Sequence, residues 1–212
     1  MDSMKRYDQV SAFILSGGAS SRMGKVKGLL EFGNEPLIVR TAHLLEPLVA
    51  AVTIVGSLEH YGTLGIPVIA DLDFGSADEK GRGLGPLAGI ASALTETNTI
   101  WNLILGCDLP YLTSEWLCWL LARAMDSNLQ IVMPRTSKGL EPLAAVYRRE
   151  CALPIVASLV RGVRKVTDAI QEFRIEFLSE HEWRGVDPDG LALRNMNTPA
   201  DYEEARRRLE TK

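Results

Sequence analysis

The stretch from Leu15 to Leu30 combines glycines and cations in a pattern that suits a polyphosphate ligand. Gly17 and Gly18 follow an apolar run that ends at Leu15, so the backbone can turn sharply and expose N–H groups without an intervening Cβ. Three cations then fall within six residues, namely Arg22, Lys25 and Lys27. N–H donors followed closely by cations predict a triphosphate site. The alternative is an ordinary strand-to-helix turn with solvated lysines.

The spacing of these residues excludes two common phosphate-binding motifs. Between Gly18 and Gly24 there is one residue too many for a P-loop, and Lys25 is followed by Val26 rather than by Ser or Thr. The dinucleotide fingerprint G-x-G-x-x-G cannot be placed in this stretch. The missing fingerprint disfavours an oxidoreductase.

Two aspartates follow predicted strands and are candidates for the same site. Asp108 comes directly after the apolar run Trp101–Cys107. A carboxylate held there can bind Mg²⁺ together with substrate phosphates. Asp71 follows a shorter apolar run and can approach the same site. The alternative for Asp108 is a role in a turn or helix cap ahead of Pro110. The alternative for Asp71 is a solvated acid in a loop.

Two asparagines and two glycines complete the candidate residues. Asn195 and Asn197 stand two residues apart, so in an extended segment both amides point towards one ligand. Turn or helix-cap chemistry is the alternative for this pair. Gly85 and Gly89 permit a close approach of the backbone, although Gly85 also suits the N-cap of the helix that follows it. Glu141 is predicted to be structural.

Short β-rich runs alternate with helical patterns, which predicts an α/β fold with a mostly parallel sheet and helices on both faces. The predicted strands are Val10–Leu15, Ala51–Val55, Pro67–Ala70, Trp101–Cys107, Gln130–Met133, Leu143–Tyr147 and Ile175–Leu178. The predicted helices are opened by Pro36, by Pro86, by a cap at Thr113 or Ser114, and by the capping-box pattern Thr198-Pro-Ala-Asp201. Ligands of such sheets lie beyond the carboxyl ends of the strands. We therefore expect the strand ends at Leu15 and Cys107 to be neighbours in one site.

Composition indicates a single soluble domain over residues 1–212. The chain is 46% hydrophobic and 24% charged, and its net charge of −4 disfavours a general nucleic-acid binder. Three isolated cysteines, no signal-peptide pattern and no long apolar run predict a cytoplasmic protein without a membrane partner. We expect a monomer or a weak oligomer.

The candidate motifs together resemble those of the molybdenum cofactor guanylyltransferases. In the order of that family they are Leu15-Ser-Gly-Gly, Arg22-Met-Gly with Lys27, Gly85-Pro-Leu-Ala-Gly-Ile, Cys107-Asp-Leu-Pro-Tyr and Asn195-Met-Asn-Thr-Pro. The likeness covers nearly the whole chain. It implies a three-layer α/β sandwich with a Rossmann-like sheet, of the nucleotide-diphospho-sugar transferase type. The implied reaction joins GMP from GTP to molybdenum-molybdopterin and releases pyrophosphate.

The resemblance also implies roles for individual positions. The implied nucleotide-binding residues are Leu15, Ser16, Gly17, Gly18, Lys27, Asp71 and Asp108. The residues that would face the phosphates and the pterin are Arg22, Gly85, Gly89, Asn195 and Asn197. Lys27 and Asp108 would be catalytic, with Asp108 binding Mg²⁺, the implied cofactor. The implied partners are GTP and molybdenum-molybdopterin, and cofactor-delivery or acceptor proteins are further candidates.

Three positions depart from the pattern of the family. Val26 stands where the family often has Asp, Ser16 stands where it commonly has Ala, and a base-contacting Asn found in some members near Gly56 is missing. Two nucleotidyltransferase alternatives therefore stay open, a molybdopterin cytidylyltransferase and a sugar-1-phosphate nucleotidyltransferase. An alternative of another class is a non-catalytic nucleotide-binding module.

Overall fold

The computed structural model describes residues 5–16, 26–72 and 85–210 of the chain. Within these ranges the strands are Tyr7–Leu15 (β1), Glu31–Phe32 (β2), Glu35–Pro36 (β3), Val49–Val55 (β4), Val68–Ile69 (β5), Trp101–Gly106 (β6), Ile131–Thr136 (β7), Gly139–Leu140 (β8), Ala144–Arg148 (β9) and Ile175–Ser179 (β10). The helices are Leu37–Leu45 (α1), Leu58–Tyr61 (α2), Pro86–Glu96 (α3), Ser114–Asp126 (α4), Ala152–Val160 (α5), Val166–Ala169 (α6), Glu180–Trp183 (α7) and Pro199–Glu210 (α8).

Strand β1 is buried on both faces, which is why its sequence reads as an almost continuous apolar run. Val10, Ala12 and Ile14 belong to a core that includes buried residues of α1 and α4. Phe13 and Leu15 belong to a second core with α3 and α5. Successive side chains of a strand point to opposite faces, so this one strand supplies both cores. The prediction of helices on both faces of the sheet is confirmed.

The main sheet has the order β10-β7-β9-β6-β1-β4-β5, with β8 paired to β7. Strand β1 runs parallel to β4 and β6, and β10 runs parallel to β7. Strand β9 is antiparallel to both of its neighbours, β6 and β7. Only residues 137–143 connect β7 to β9. A crossover to a parallel neighbour needs about a dozen residues or more, so this short connection imposes the antiparallel pairing.

All seven predicted strands are present, with ends that differ by at most three residues. The predicted helix at Pro36 begins one residue later, because Pro36 is its N-cap and also pairs in β3. Thr113 caps α4, since its hydroxyl accepts a hydrogen bond from the N–H of Trp116 at 3.2 Å. Thr198 and Asp201 cap α8 reciprocally, as the capping-box pattern predicts. Among the helices of the described residues, none is long and apolar enough to cross a membrane.

The sequence predicts neither α5 nor the three helices of four residues. The exposed fractions of Leu153 and Val160 are 80% and 73%, so α5 has no apolar stripe confined to its buried face. Helices α2, α6 and α7 are single turns, too short to show a periodicity. The same reason applies to the two-residue strands β2, β3 and β8.

A third, small cluster holds α8 against the segment that follows Lys27. Its buried members are Leu30, Phe32, Leu37, Met196 and Ala205. The rings of Phe32 and Tyr202 meet edge to face with centroids 5.3 Å apart. The hydroxyl of Tyr202 donates to the C=O of Glu31 at 2.9 Å. These contacts bring the C-terminal part of the chain to the carboxyl edge of the sheet.

Candidate functional site

The carboxyl ends of β1 and β6 lie side by side, as predicted. Leu15 is in register with Gly106, and the N–H of Cys107 donates to the C=O of Leu15 at 3.1 Å. Asp108 therefore leaves the sheet beside the point where the chain leaves β1. The candidate residues Gly17, Gly18 and Arg22 lie outside the described residues.

Lys27, Asp108 and Asn197 come from three distant parts of the chain and meet at this edge. The Nζ atom of Lys27 donates to Oδ1 of Asn197 at 2.8 Å and lies 3.7 Å from Oδ2 of Asp108. The exposed fractions of the Lys27 and Asp108 side chains are 18% and 26%, so both remain accessible to a ligand. The ammonium can hold an anion, and the carboxylate can hold a hard cation.

Backbone hydrogen bonds place Asn197 beside Asp108. The C=O of Asp108 accepts the N–H of Met196 at 2.9 Å. The carboxylate of Asp201 accepts the N–H of Asn197 at 3.1 Å. Met196 is buried in the third cluster, whereas Asn195 and Asn197 are exposed. Of the two predicted amides, the structure brings Asn197 into contact with Lys27 and leaves Asn195 exposed two residues away.

Burial raises the pKa of Asp108, and this effect outweighs the opposing charge of Lys27. Burial also raises the pKa of Glu141, and the negative charge of Asp108 adds to the rise. The Glu141 carboxylate accepts a hydrogen bond from the Thr136 hydroxyl at 3.0 Å, across the turn between β7 and the residues after β8. This contact fits the predicted structural role of Glu141 and also shows a second acid near Asp108 that the sequence argument did not include.

The surroundings of Asp108 fit a cation that takes most of its ligands from elsewhere. Among the described residues, no group of three or more His, Cys, Asp or Glu side chains could hold a metal ion. A Cβ added at Gly106 would lie 2.9 Å from Oδ1 of Asp108, so this carboxylate position depends on glycine. Mg²⁺ commonly uses one or two carboxylates and completes its shell with phosphates and water. A single carboxylate at an accessible edge is compatible with that pattern.

Asp71 and Gly89 lie beside Leu15, and Asp71 follows β5, on the other side of β1 from Asp108. A Cβ built on Gly89 would be 3.4 Å from Oδ1 of Asp71 and 2.1 Å from Cδ2 of Leu15. Partial burial of its carboxyl raises the pKa of Asp71, although the residue as a whole is exposed. Gly85 is the N-cap of α3 with φ 73°, a backbone conformation that favours glycine. Both glycines therefore have structural reasons for their positions.

We expect Gly89→Ala to destabilise the protein, because the added methyl group would overlap the Leu15 side chain. Overpacking of this kind costs about 1–3 kcal/mol. The free energy of unfolding, measured with urea, tests this expectation. Gly185→Ala is the matched control, since a Cβ there meets nothing within 4 Å. Equal losses in the two variants would contradict the close packing of α3 on Leu15.

The sequence argument missed Tyr61, which contacts a predicted site residue. Its side chain is fully buried and its hydroxyl contacts the Ser16 hydroxyl. No pattern could have identified it, because Tyr61 ends a single helical turn. Cys107 lies nearby, and burial raises its pKa to about 11. The thiol therefore stays protonated near neutral pH.

Comparison with known protein families places the chain among nucleotide-using transferases. A family model described as "MobA-like NTP transferase domain" matches residues 12–175. A probable molybdenum cofactor guanylyltransferase of Pelotomaculum thermopropionicum is 37% identical over 93% of this chain and 92% of its own. A protein of the same description from Natranaerobius thermophilus is 30% identical, over 95% of this chain and 97% of its own.

Solved structures show the same fold. The molybdopterin-guanine dinucleotide biosynthesis protein A of Archaeoglobus fulgidus matches with a TM-score of 0.79 at 22% identity, over 95% of this chain and 100% of that chain. The 2-C-methyl-D-erythritol 4-phosphate cytidylyltransferase of Thermus thermophilus matches with a TM-score of 0.66 at 12% identity, over 94% of this chain and 98% of that chain. The fold is the three-layer α/β sandwich of these nucleotidyltransferases, as the family resemblance implies.

Proposed function

The chain belongs to the MobA-like NTP transferase family and is a nucleotidyltransferase, and from this premise we propose that it transfers GMP from GTP to molybdenum-molybdopterin. In this reaction an oxygen of the acceptor phosphate forms a bond to the α-phosphorus of GTP. The bond from that phosphorus to the bridging oxygen of the β-phosphate breaks, and pyrophosphate leaves with the electron pair. Molybdenum enters as part of the acceptor substrate.

One observation carries this proposal: the Lys27 ammonium lies between the Asn197 amide oxygen, at 2.8 Å, and the Asp108 carboxylate, at 3.7 Å. Two anionic substrates repel each other, so catalysis has to come from positioning them and neutralising their charge. An ammonium in contact with neutral and acidic oxygens can exchange them for phosphate oxygens. No nucleophilic side chain is needed, because the acceptor phosphate itself attacks.

We assign the residues of the site as follows. Lys27 binds the triphosphate, Asn197 orients Lys27, and Asp108 holds Mg²⁺. A Mg²⁺ ion held there would supply positive charge to the α-phosphate of GTP, where the acceptor attacks. Asp71 contacts the nucleoside, and its position beside Leu15 supports this assignment.

The remaining residues of the family pattern would line the part of the proposed site that binds the acceptor, molybdenum-molybdopterin. Gly85, Gly89 and Asn195 would line it together with Asn197, and the exposure of both asparagines supports this role. The backbone from Leu15 to Gly18 and the Arg22 side chain complete the proposed phosphate contacts. Because Lys27 and Asn197 are 170 positions apart and act together, we propose that residues 1–212 form one domain.

We expect the protein to form a guanine dinucleotide when it is incubated with GTP, Mg²⁺ and molybdenum-loaded pterin. Mass detection of the product is the decisive measurement, and pyrophosphate release gives the rate. ATP, CTP and UTP serve as matched controls, and we expect each to support slower release than GTP.

Other outcomes would contradict this proposal and favour a different function. Preferential use of CTP would indicate a molybdopterin cytidylyltransferase, and release that requires a sugar 1-phosphate would indicate a sugar nucleotidyltransferase. GTP binding without pyrophosphate release in the presence of the pterin would indicate a non-catalytic binding module.

A further inference from the structure

The Tyr61 hydroxyl lies between the end of β1 and the turn that begins with Lys27. It contacts the Oγ atom of Ser16, the residue that follows β1. A Cβ built on Gly28 would lie 3.2 Å from the Tyr61 hydroxyl and 3.3 Å from the Ser16 Oγ. The Tyr61 hydroxyl therefore contacts Ser16 and lies close to Gly28, two residues of segments that both belong to the proposed nucleotide site.

The Tyr61 ring is buried and lies close to Gly56. A Cβ built on Gly56, just after β4, would lie 3.2 Å from Cε2 of Tyr61 and 3.2 Å from the C=O oxygen of Ser16. Tyr61 is the buried residue of α2, while Leu58 at the start of the same turn is 68% exposed. Because the ring is fully buried and lies close to Gly56, its movement is restricted and so is that of its hydroxyl.

The hydroxyl pair of Tyr61 and Ser16 is partly buried. Burial raises the pKa of Tyr61, so the phenol stays protonated near neutral pH and can donate a hydrogen bond. A hydrogen bond in a buried position is electrostatically stronger than one in water and restricts both partners. The N–H of Ser16 also donates to the C=O of Val55 at 2.9 Å, which fixes the backbone at the same residue.

We infer that Tyr61 is a positioning residue of the nucleotide site, which places the Lys27 turn relative to the end of β1 through its contact with Ser16 and its position beside Gly28. The inference rests on the proposed function, because it gives Tyr61 a role in GTP binding through Lys27. Without the hydroxyl, the packing between Ser16 and the turn loosens. The ammonium then meets the triphosphate less accurately, although the groups that touch the substrate are unchanged.

The test is Tyr61→Phe, which removes the hydroxyl and keeps the ring. We expect the KM for GTP to rise about three- to tenfold, as for the loss of one hydrogen bond, with kcat within about twofold. Tyr7→Phe is the matched control, because the Tyr7 hydroxyl donates to the C=O of Cys118 at 3.4 Å at the opposite end of β1. We expect this control to leave the KM unchanged. A purely structural role of Tyr61 would lower the unfolding temperature without moving the KM, and that result would overturn the inference.

A double-mutant cycle with Ser16→Ala tests whether Tyr61 changes the KM for GTP through its contact with Ser16. If Tyr61 acts through Ser16, the double variant shows about the same KM as Tyr61→Phe alone, whereas additive increases would overturn this route. The double variant replaces the hydroxyl pair with apolar groups, so it also serves if Tyr61→Phe alone does not fold. Wild-type protein that neither binds nor uses GTP would refute the proposed function and this inference together. Normal GTP use by wild type and Tyr61→Phe alike would refute the inference alone.

Discussion

Asp108→Asn lowers turnover by about a hundredfold or more and leaves the fold intact. The change removes the carboxylate proposed to hold Mg²⁺, and the loss of one preorganised electrostatic group in an active site typically has an effect of this size. Asn keeps the shape of the side chain and leaves in place the hydrogen bond that the N–H of Met196 donates to the C=O of residue 108. Pyrophosphate release with GTP, Mg²⁺ and the pterin acceptor measures the loss.

The stability of the Asp108→Asn variant provides an internal control. A carboxyl group whose folded-state pKa is raised binds protons more readily in the folded chain, so its ionised form costs stability at neutral pH. We therefore expect the free energy of unfolding to stay the same or increase, with the contact to Lys27 reducing the gain. Asp189→Asn, at an exposed position, serves as the matched change of charge. Unchanged pyrophosphate release in Asp108→Asn would exclude Asp108 as the metal ligand.

Lys27→Ala weakens GTP binding about ten- to a hundredfold. The ammonium is the described cation nearest to Asp108, and a hydrogen bond to a charged group contributes about 1.5–3 kcal/mol. Its removal also takes away the charge that lowers the pKa of Asp108, so this carboxyl becomes easier to protonate. Isothermal titration calorimetry with Mg²⁺ and GTP measures the dissociation constant directly.

Lys165→Ala is the matched control for the lysine variant. Lys165 is exposed and precedes α6, on the other side of the sheet from the core that contains α1 and α4. We expect its loss to change the GTP dissociation constant by less than about twofold in buffer of physiological ionic strength, where long-range surface charges are screened. Equal GTP affinity in wild type and Lys27→Ala would contradict the role of this lysine.

The strands and helix starts could be predicted because local chemistry specifies them. A stretch of strand buried on both faces is mostly apolar, and β6 and the part of β1 from Val10 onwards are mostly apolar for that reason. The reciprocal hydrogen bonds of Thr198 and Asp201 involve residues three apart, so their spacing is visible in the chain. The expectation that Leu15 and Cys107 are neighbours followed from the parallel topology, and their backbone hydrogen bond confirms it.

Contacts between residues that are far apart in the chain leave no comparable pattern in the sequence. Nothing in the spacing of Lys27 and Asn197 shows that their side chains meet, because their meeting depends on the packing of Met196 and Phe32 in the third cluster. Tyr61 could not be identified from its single helical turn. Asp71 and Asp108 both follow strands, yet the order β6-β1-β4-β5 separates them to opposite sides of β1.

Residue types and short spacings were thus enough to establish the α/β class, the position of the sheet edge that carries the candidate site, and the family resemblance. Only the packing of the folded chain decided which side chains contact Lys27 at this edge. The physical reason is that hydrogen bonds and hydrophobic periodicity within an element repeat over three or four residues. Contacts between elements depend on the faces that become buried together, and these involve residues far apart in the chain.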